Sequence, residues 1–152
     1  ITSRKEVCTM KKGIMILLSA LLLLALAACG GEKTTGPEVD YGSSELYSKE
    51  EMDAAITAIR AEFDTWDGCE LHALRYAGDE SASQENLDWM NELRKDGDAF
   101  TQCIEFLSDF HSPKDEAASS ALGVEADQEY RDFQWWLARS DGGDWQLVTW
   151  GY

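Results

Sequence analysis

Met52, Ile56, Ile59, Phe63 and Trp66 recur at steps of four, three, four and three, which lays them on one stripe of an α-helix. In front of them, Ser48-Lys49-Glu50-Glu51 has the form of a capping box. The Ser hydroxyl accepts the Glu51 amide, and the Glu51 carboxylate reaches back to the Ser48 amide. Asp67-Gly68 predicts the helix end, with Gly free to take the left-handed cap. From Cys69 to Ala77 the period changes to two: Leu74 and Tyr76 share one face, while Cys69, Leu71 and Ala73 share the other. Ser83 to Lys95 returns to helical spacing through Leu87, Met90 and Leu93, and Asp96-Gly97-Asp98 breaks it. Ala99 to Phe110 puts Phe100, Ile104, Phe106 and Phe110 on one strand face. His111 to Gln128 is an acidic loop rich in Ser and Ala, with room for a short helix.

The closing stretch predicts a hairpin: EYRDFQWWLARS, the turn DGGD, then WQLVTWGY. A two-residue turn at Gly142-Gly143 suits positive backbone angles and sets the register. It pairs Ser140 with Trp145, Leu137 with Val148, Trp135 with Trp150 and Phe133 with Tyr152. The last three pairs form an apolar core face, and Trp136, Trp145 and Leu147 fall on the opposite one.

The element order is helix, strand, helix, strand, strand, strand. One long amphipathic helix across a four-stranded, mostly antiparallel curved sheet, with a second short helix, buries both apolar faces most simply. The expected class is α+β. The arrangement resembles the cystatin-like or NTF2-like roll; that likeness, of architecture and not of motif, implies a helix–sheet cavity of the kind NTF2-like folds often use. The run YRDFQWWLARSDGGDWQLVTWGY is also similar to the C-terminus of small uncharacterised lipoproteins of Gram-positive, clostridia-like bacteria. That similarity carries no activity with it.

Ahead of the domain, Lys11-Lys12 precede an uncharged run from Gly13 to Gly31, dense in Leu, Ile, Met and Ala. A basic start, a Leu-rich middle and small residues make an export signal, whereas a membrane-spanning stop-transfer helix would be flanked by cations that Gly30-Gly31-Glu32 does not supply. Leu26-Ala27-Ala28-Cys29 resembles the lipobox of bacterial lipoproteins. The resemblance implies a diacylglyceryl thioether on Cys29, cleavage after Ala28, and attachment to the outer face of the cytoplasmic membrane. The expected organisation is an over-extended start at 1–9, the signal at 10–28, a flexible tether at 29–47 and one α+β domain at 48–152. The tether assignment rests on Gly, Ser, Thr, Pro and charge without periodicity from Gly30 to Tyr47.

Composition narrows the partners. Cleavage after residue 28 removes four basic residues and one acidic one, leaving 9 Lys+Arg against 28 Asp+Glu, a net charge of −19 over 124 residues. A nucleic-acid partner would need clustered cations, and an anionic membrane surface would repel such a domain. The six Trp, five Tyr and five Phe all lie after residue 29 and suffice for one core, so the charge does not imply disorder.

Candidate chemistry is sparse. Cys69 and Cys103 allow one disulfide or two buried thiols in an oxidising compartment. No paired Cys-x-x-Cys or Cys/His cluster points to zinc, and the Asp96-Gly97-Asp98 and Asp141 to Asp144 loops lack calcium-loop spacing. No metal and no cofactor is expected. His72 and His111 have no Gly-x-Ser-x-Gly elbow or other nucleophile signature beside them, so both read as structural and no catalytic residue is assigned. Trp136, Trp145 and Leu147 remain as a candidate binding patch, because adjacent Trp135 and Trp136 cannot face the same core; the alternative places Trp136 beneath another element. The expected function is a lipid-anchored, non-catalytic binding domain for an unidentified envelope or extracellular partner. The rival is a small-ligand or enzymatic domain using the helix–sheet cavity, which His72 or Glu105 projecting inward would favour and a filling of Phe63, Trp66, Phe106 and Trp135 would defeat.

Overall fold

The capping box at Ser48 forms as its residues dictate. Ser48 Oγ accepts from the Glu51 amide at 3.3 Å, and Glu51 Oε2 accepts from the Ser48 amide at 2.9 Å. In the computed structural model, which describes residues 36–152, this opens helix α1 (Lys49–Phe63). The export signal, Cys29 and the first part of the tether lie outside the described residues.

Before α1 comes strand β1 (Glu38–Asp40); after it come β2 (Glu70–Tyr76), a 3₁₀ turn (Asp79–Ala82), α2 (Gln84–Leu93), β3 (Gln102–His111), α3 (Glu116–Leu122), β4 (Glu129–Arg139) and β5 (Gln146–Gly151). The five strands make one sheet in the order β1-β2-β3-β4-β5, with β1 parallel to β2 and the other neighbours antiparallel.

The architecture is α+β, but the expected four-stranded roll under a long helix, cystatin- or NTF2-like, is overturned. The sheet has five strands and is mixed, and the α-helices are short, at 15, 10 and 7 residues. The added strand lies in the stretch assigned to the tether. Glu-Val-Asp shows no periodicity because it is three residues long, yet its backbone pairs with Ala73 to Arg75 and Val39 packs on the core. Parallel neighbours need a crossover connection, and α1 lies within it. α1 itself stops at Phe63, three residues short of Trp66, and Trp66 packs on the core from the turn that follows.

The α1 stripe of Met52, Ala55, Ile56, Ile59 and Phe63 packs in one core with Leu74, Ile104, Phe106, Phe110, Phe133, Trp135 and Leu137 of the sheet. A second, smaller core joins Met90 of α2 to Phe100, Cys103, Trp136 and Ala138. Leu93, expected to point inward from the same helix, is exposed.

The hairpin register is also corrected. Trp135 pairs with Trp150 as expected, but a bulge between Trp136 and Leu137 puts Leu137 opposite Leu147 instead of Val148. One extra residue on one strand exchanges the faces of everything beyond it. Leu147 and Trp145 therefore pack with the α1 core, and Val148 with the α2 core. The connection is longer than two residues: Ser140 O accepts from the Gly143 amide at 2.8 Å, and β5 starts only at Gln146.

Candidate functional site

The expected patch of Trp136, Trp145 and Leu147 does not assemble. Trp136 is 7% exposed in the α2 core, edge-on to Trp89 with ring centroids 5.4 Å apart. Trp145, also 7% exposed, belongs to the α1 core. Its indole N–H donates to Glu51 O at 3.0 Å, and the Arg139 guanidinium lies 4.3 Å from its ring centroid. Arg139 in turn donates to Glu51, so the capping glutamate also ties α1 to β4. Trp150, expected in the core, is 42% exposed on the outer strand.

Cys69 and Cys103 are both free. Cys69 adjoins Glu70, which pairs with His111 at the end of β3, whereas Cys103 sits at the start of β3. At about 3.3 Å per residue the two are separated by roughly 30 Å, far beyond disulfide reach. Burial pushes the Cys103 thiol up to about 11 and also raises Cys69, which keeps both in the unreactive thiol form.

The helix–sheet interface is filled. Phe106 and Trp135 are fully buried there. Trp66 stacks obliquely on Trp135 at 5.2 Å, and Phe63 meets Phe110 at 5.6 Å. The Trp135 indole donates to Ser108 Oγ at 2.8 Å, so this buried polar group is satisfied internally. Glu105 and His72 do not project into it. Glu105 pairs with Trp136 on the α2 side of the sheet, where burial raises its carboxyl.

The chain's two histidines, separated by 39 positions, meet on a surface cluster that the sequence reading did not anticipate. Antiparallel pairing of β2 with β3 sets Glu70 opposite His111, and a bulge between Leu71 and Ala73 turns His72 toward them. The two rings stack with centroids 6.5 Å apart and planes 24° apart. Glu129 holds both: Oε1 lies 3.1 Å from His72 Nδ1, and Oε2 lies 3.3 Å from His111 Nδ1. Asp127 Oδ1 sits 3.1 Å from His111 Nε2. Asp127 is placed by a left-handed backbone conformation (φ 54°) that Asp tolerates, and its amide donates to Pro113 O. On the same strands, Arg75 clamps Asp109 through two hydrogen bonds of 2.8 and 3.0 Å and donates to Asp132 at 2.6 Å. The Arg75 guanidinium beside Asp109 holds that carboxyl below the usual range.

Among the described residues neither imidazole is hydrogen-bonded to a Ser, Thr or Cys, so no nucleophile–base pair is formed. Among the same residues no group of three or more His, Cys, Asp or Glu is placed to hold a metal ion. The hydrogen bond to Asp127, with a second to Glu129, holds His111 above the usual histidine value. A folded value raised above the unfolded one stabilises the fold fully below about pH 6.5, and that contribution disappears as pH rises through the folded value. The gap in thermal midpoint between the wild type and His111→Gln is therefore widest near about pH 5.5 and closes toward about pH 8.5. Melting curves across that interval check it; a gap independent of pH contradicts the assignment.

No protein-family model matches the chain, and no curated protein or solved structure does either.

Proposed function

We propose that the chain is a lipid-tethered protein of the outer face of the cytoplasmic membrane, whose folded domain binds an envelope or extracellular partner and catalyses no reaction. The observation that carries the binding reading is the filled helix–sheet interface. Phe63, Trp66, Phe106 and Trp135 occupy the space in which a small-ligand or enzymatic domain of this kind would keep its chamber. The wiring of both imidazoles to carboxylates, and not to a nucleophile, supports the same reading. The tether rests on the lipobox pattern ending at Cys29.

The test is the full chain and Cys29→Ala expressed in a bacterium fed a clickable fatty acid. The wild type takes up label and stays with the membrane pellet; Cys29→Ala takes up none and keeps the uncleaved export signal, so that it migrates as a larger chain. A Cys29→Ala chain that still carries label contradicts the anchor.

A further inference from the structure

Among the described residues β5 is one of the two outer strands of the sheet, and its sequence, QLVTWG, contains neither a charge nor a proline. Charge and proline are the usual protections of a free edge, and an edge without them is a template for another strand. Leu93, at the end of the helix across the groove, is exposed on the α2 side of this strand, and Trp150 is exposed on its α1 side, against Trp135.

That groove holds about 180 Å³ and lies between the last residue of α2 with the three that follow it (Leu93, Arg94, Lys95, Asp96) and the start of β5 (Gln146, Leu147, Val148), with Phe100 beside them. It is small beside the roughly 300–1,000 Å³ of ordinary ligand pockets, so it fits one side chain better than a whole small molecule. Its rim carries Arg94-Lys95, a basic pair in a chain of net charge −16. Neither residue forms an ion pair among the described residues. Arg94 Nη1 donates to Asp96 O and Gly97 O, while its Nε is buried and has no hydrogen-bond partner among the described residues. The buried Nε is closed to a ligand, so what the rim offers an incoming group is the positive charge of Arg94 and Lys95 together, which a carboxylate matches. Asp96 on the same rim repels a second acidic group, which selects a single carboxylate over an acidic run.

Strand direction decides how that carboxylate arrives. β5 runs from Gln146 at the groove to Gly151 away from it. A strand added antiparallel to β5 therefore ends at the groove, with its C-terminus beside Arg94 and Lys95. We propose that the free edge of β5 captures the C-terminal segment of an extended partner peptide, its last aliphatic side chain in the Leu93–Phe100–Val148 groove and its terminal carboxylate on Arg94 and Lys95. Backbone pairing supplies affinity, and the groove and the basic pair supply selectivity for the chain end. This rests on the proposed binding role and names its partner class.

The test uses the full chain in detergent and fluorescence anisotropy with pooled, N-terminally labelled hexapeptides ending in Val, Leu or Ile. Free-carboxylate peptides bind saturably. C-terminal amidation weakens them by about tenfold or more, as does Lys95→Gln. Arg94→Gln has the same effect with an unchanged circular dichroism spectrum, and N-methylation of one strand amide abolishes binding. Equal binding of the amides, indifference to Lys95→Gln, or no binding up to about 1 mM overturns the proposal. A dimer in sedimentation that the peptides do not dissociate gives the edge to a second copy and also overturns it. Peptides are recovered intact by mass spectrometry; cleavage would instead refute the non-catalytic reading while leaving the docking site in place.

Discussion

Trp135→Ala lowers the stability of the domain by about 4 kcal/mol, within the roughly 3–5 kcal/mol range for truncating a buried large aromatic. The residue is fully buried at the centre of the α1 core. It touches Phe63, Trp66, Phe133 and Trp150, with ring centroids between 5.2 and 6.3 Å away. Truncation leaves a cavity that neighbours held on α1, on the turn after it, on β4 and on β5 cannot collapse to fill. It also strips Ser108, fully buried itself, of its 2.8 Å donor. Domains of this size are stable by only about 5–15 kcal/mol, so most of the margin goes. Urea unfolding of the two chains measures it. A loss below about 1.5 kcal/mol would mean that the interface is not close-packed.

Trp136→Ala costs about 3 kcal/mol, although its neighbour already fills the core. Trp136 faces the other way and is covered by α2 through Met90, with Phe100 and Cys103 beneath. Its exposure of 7% means that iodide quenching of the whole chain changes little on its removal. Trp89 is the internal control: it meets the same ring at 5.4 Å but is 39% exposed. Trp89→Ala removes a quenchable emitter and costs about 1 kcal/mol or less. Equal losses for the two variants, or strong quenching of Trp136, would return Trp136 to the surface.

The same pair shows how far the sequence carries. Period two states that Trp135 and Trp136 face opposite sides, and it identifies which of them belongs with Phe133 and Leu137. It does not state what covers the second face, because α2 reaches Trp136 through tertiary packing that no local pattern encodes. α1 was legible because both its cap and its stripe are local: Ser48 and Glu51 are three residues apart, and each apolar step lies within one turn. β1 was not, since three residues with one apolar side chain are too few for a period. The hairpin was legible up to its bulge. Trp135 met Trp150 in the register expected from a two-residue turn, although the turn is longer, and the single extra residue between that pair and the turn exchanged the faces of Leu147 and Val148.

The histidine cluster was hidden for a related reason. Antiparallel pairing of β2 with β3 already follows from the strand order, and it brings the start of one to the end of the other. The bulge that turns His72 out, and the backbone at Asp127 that aims its carboxylate at His111, have no signature in residue types. Arg94 and Lys95 were visible in the sequence, but their place beside β5 depends on where α2 ends, at Leu93.

The claim on which the rest depends is that the space between α1 and the sheet is closed core and not a chamber. Hydrogen exchange of the Trp135 indole proton tests it most directly, read by nuclear magnetic resonance on the full chain in detergent at several urea concentrations. With the proton held on Ser108 Oγ inside a filled core, exchange requires global unfolding. Its free energy should then equal the unfolding free energy and fall with the same urea slope. Exchange that is fast and indifferent to urea would mean that water reaches Trp135 in the folded state, and the interface would have to be treated as a ligand chamber after all.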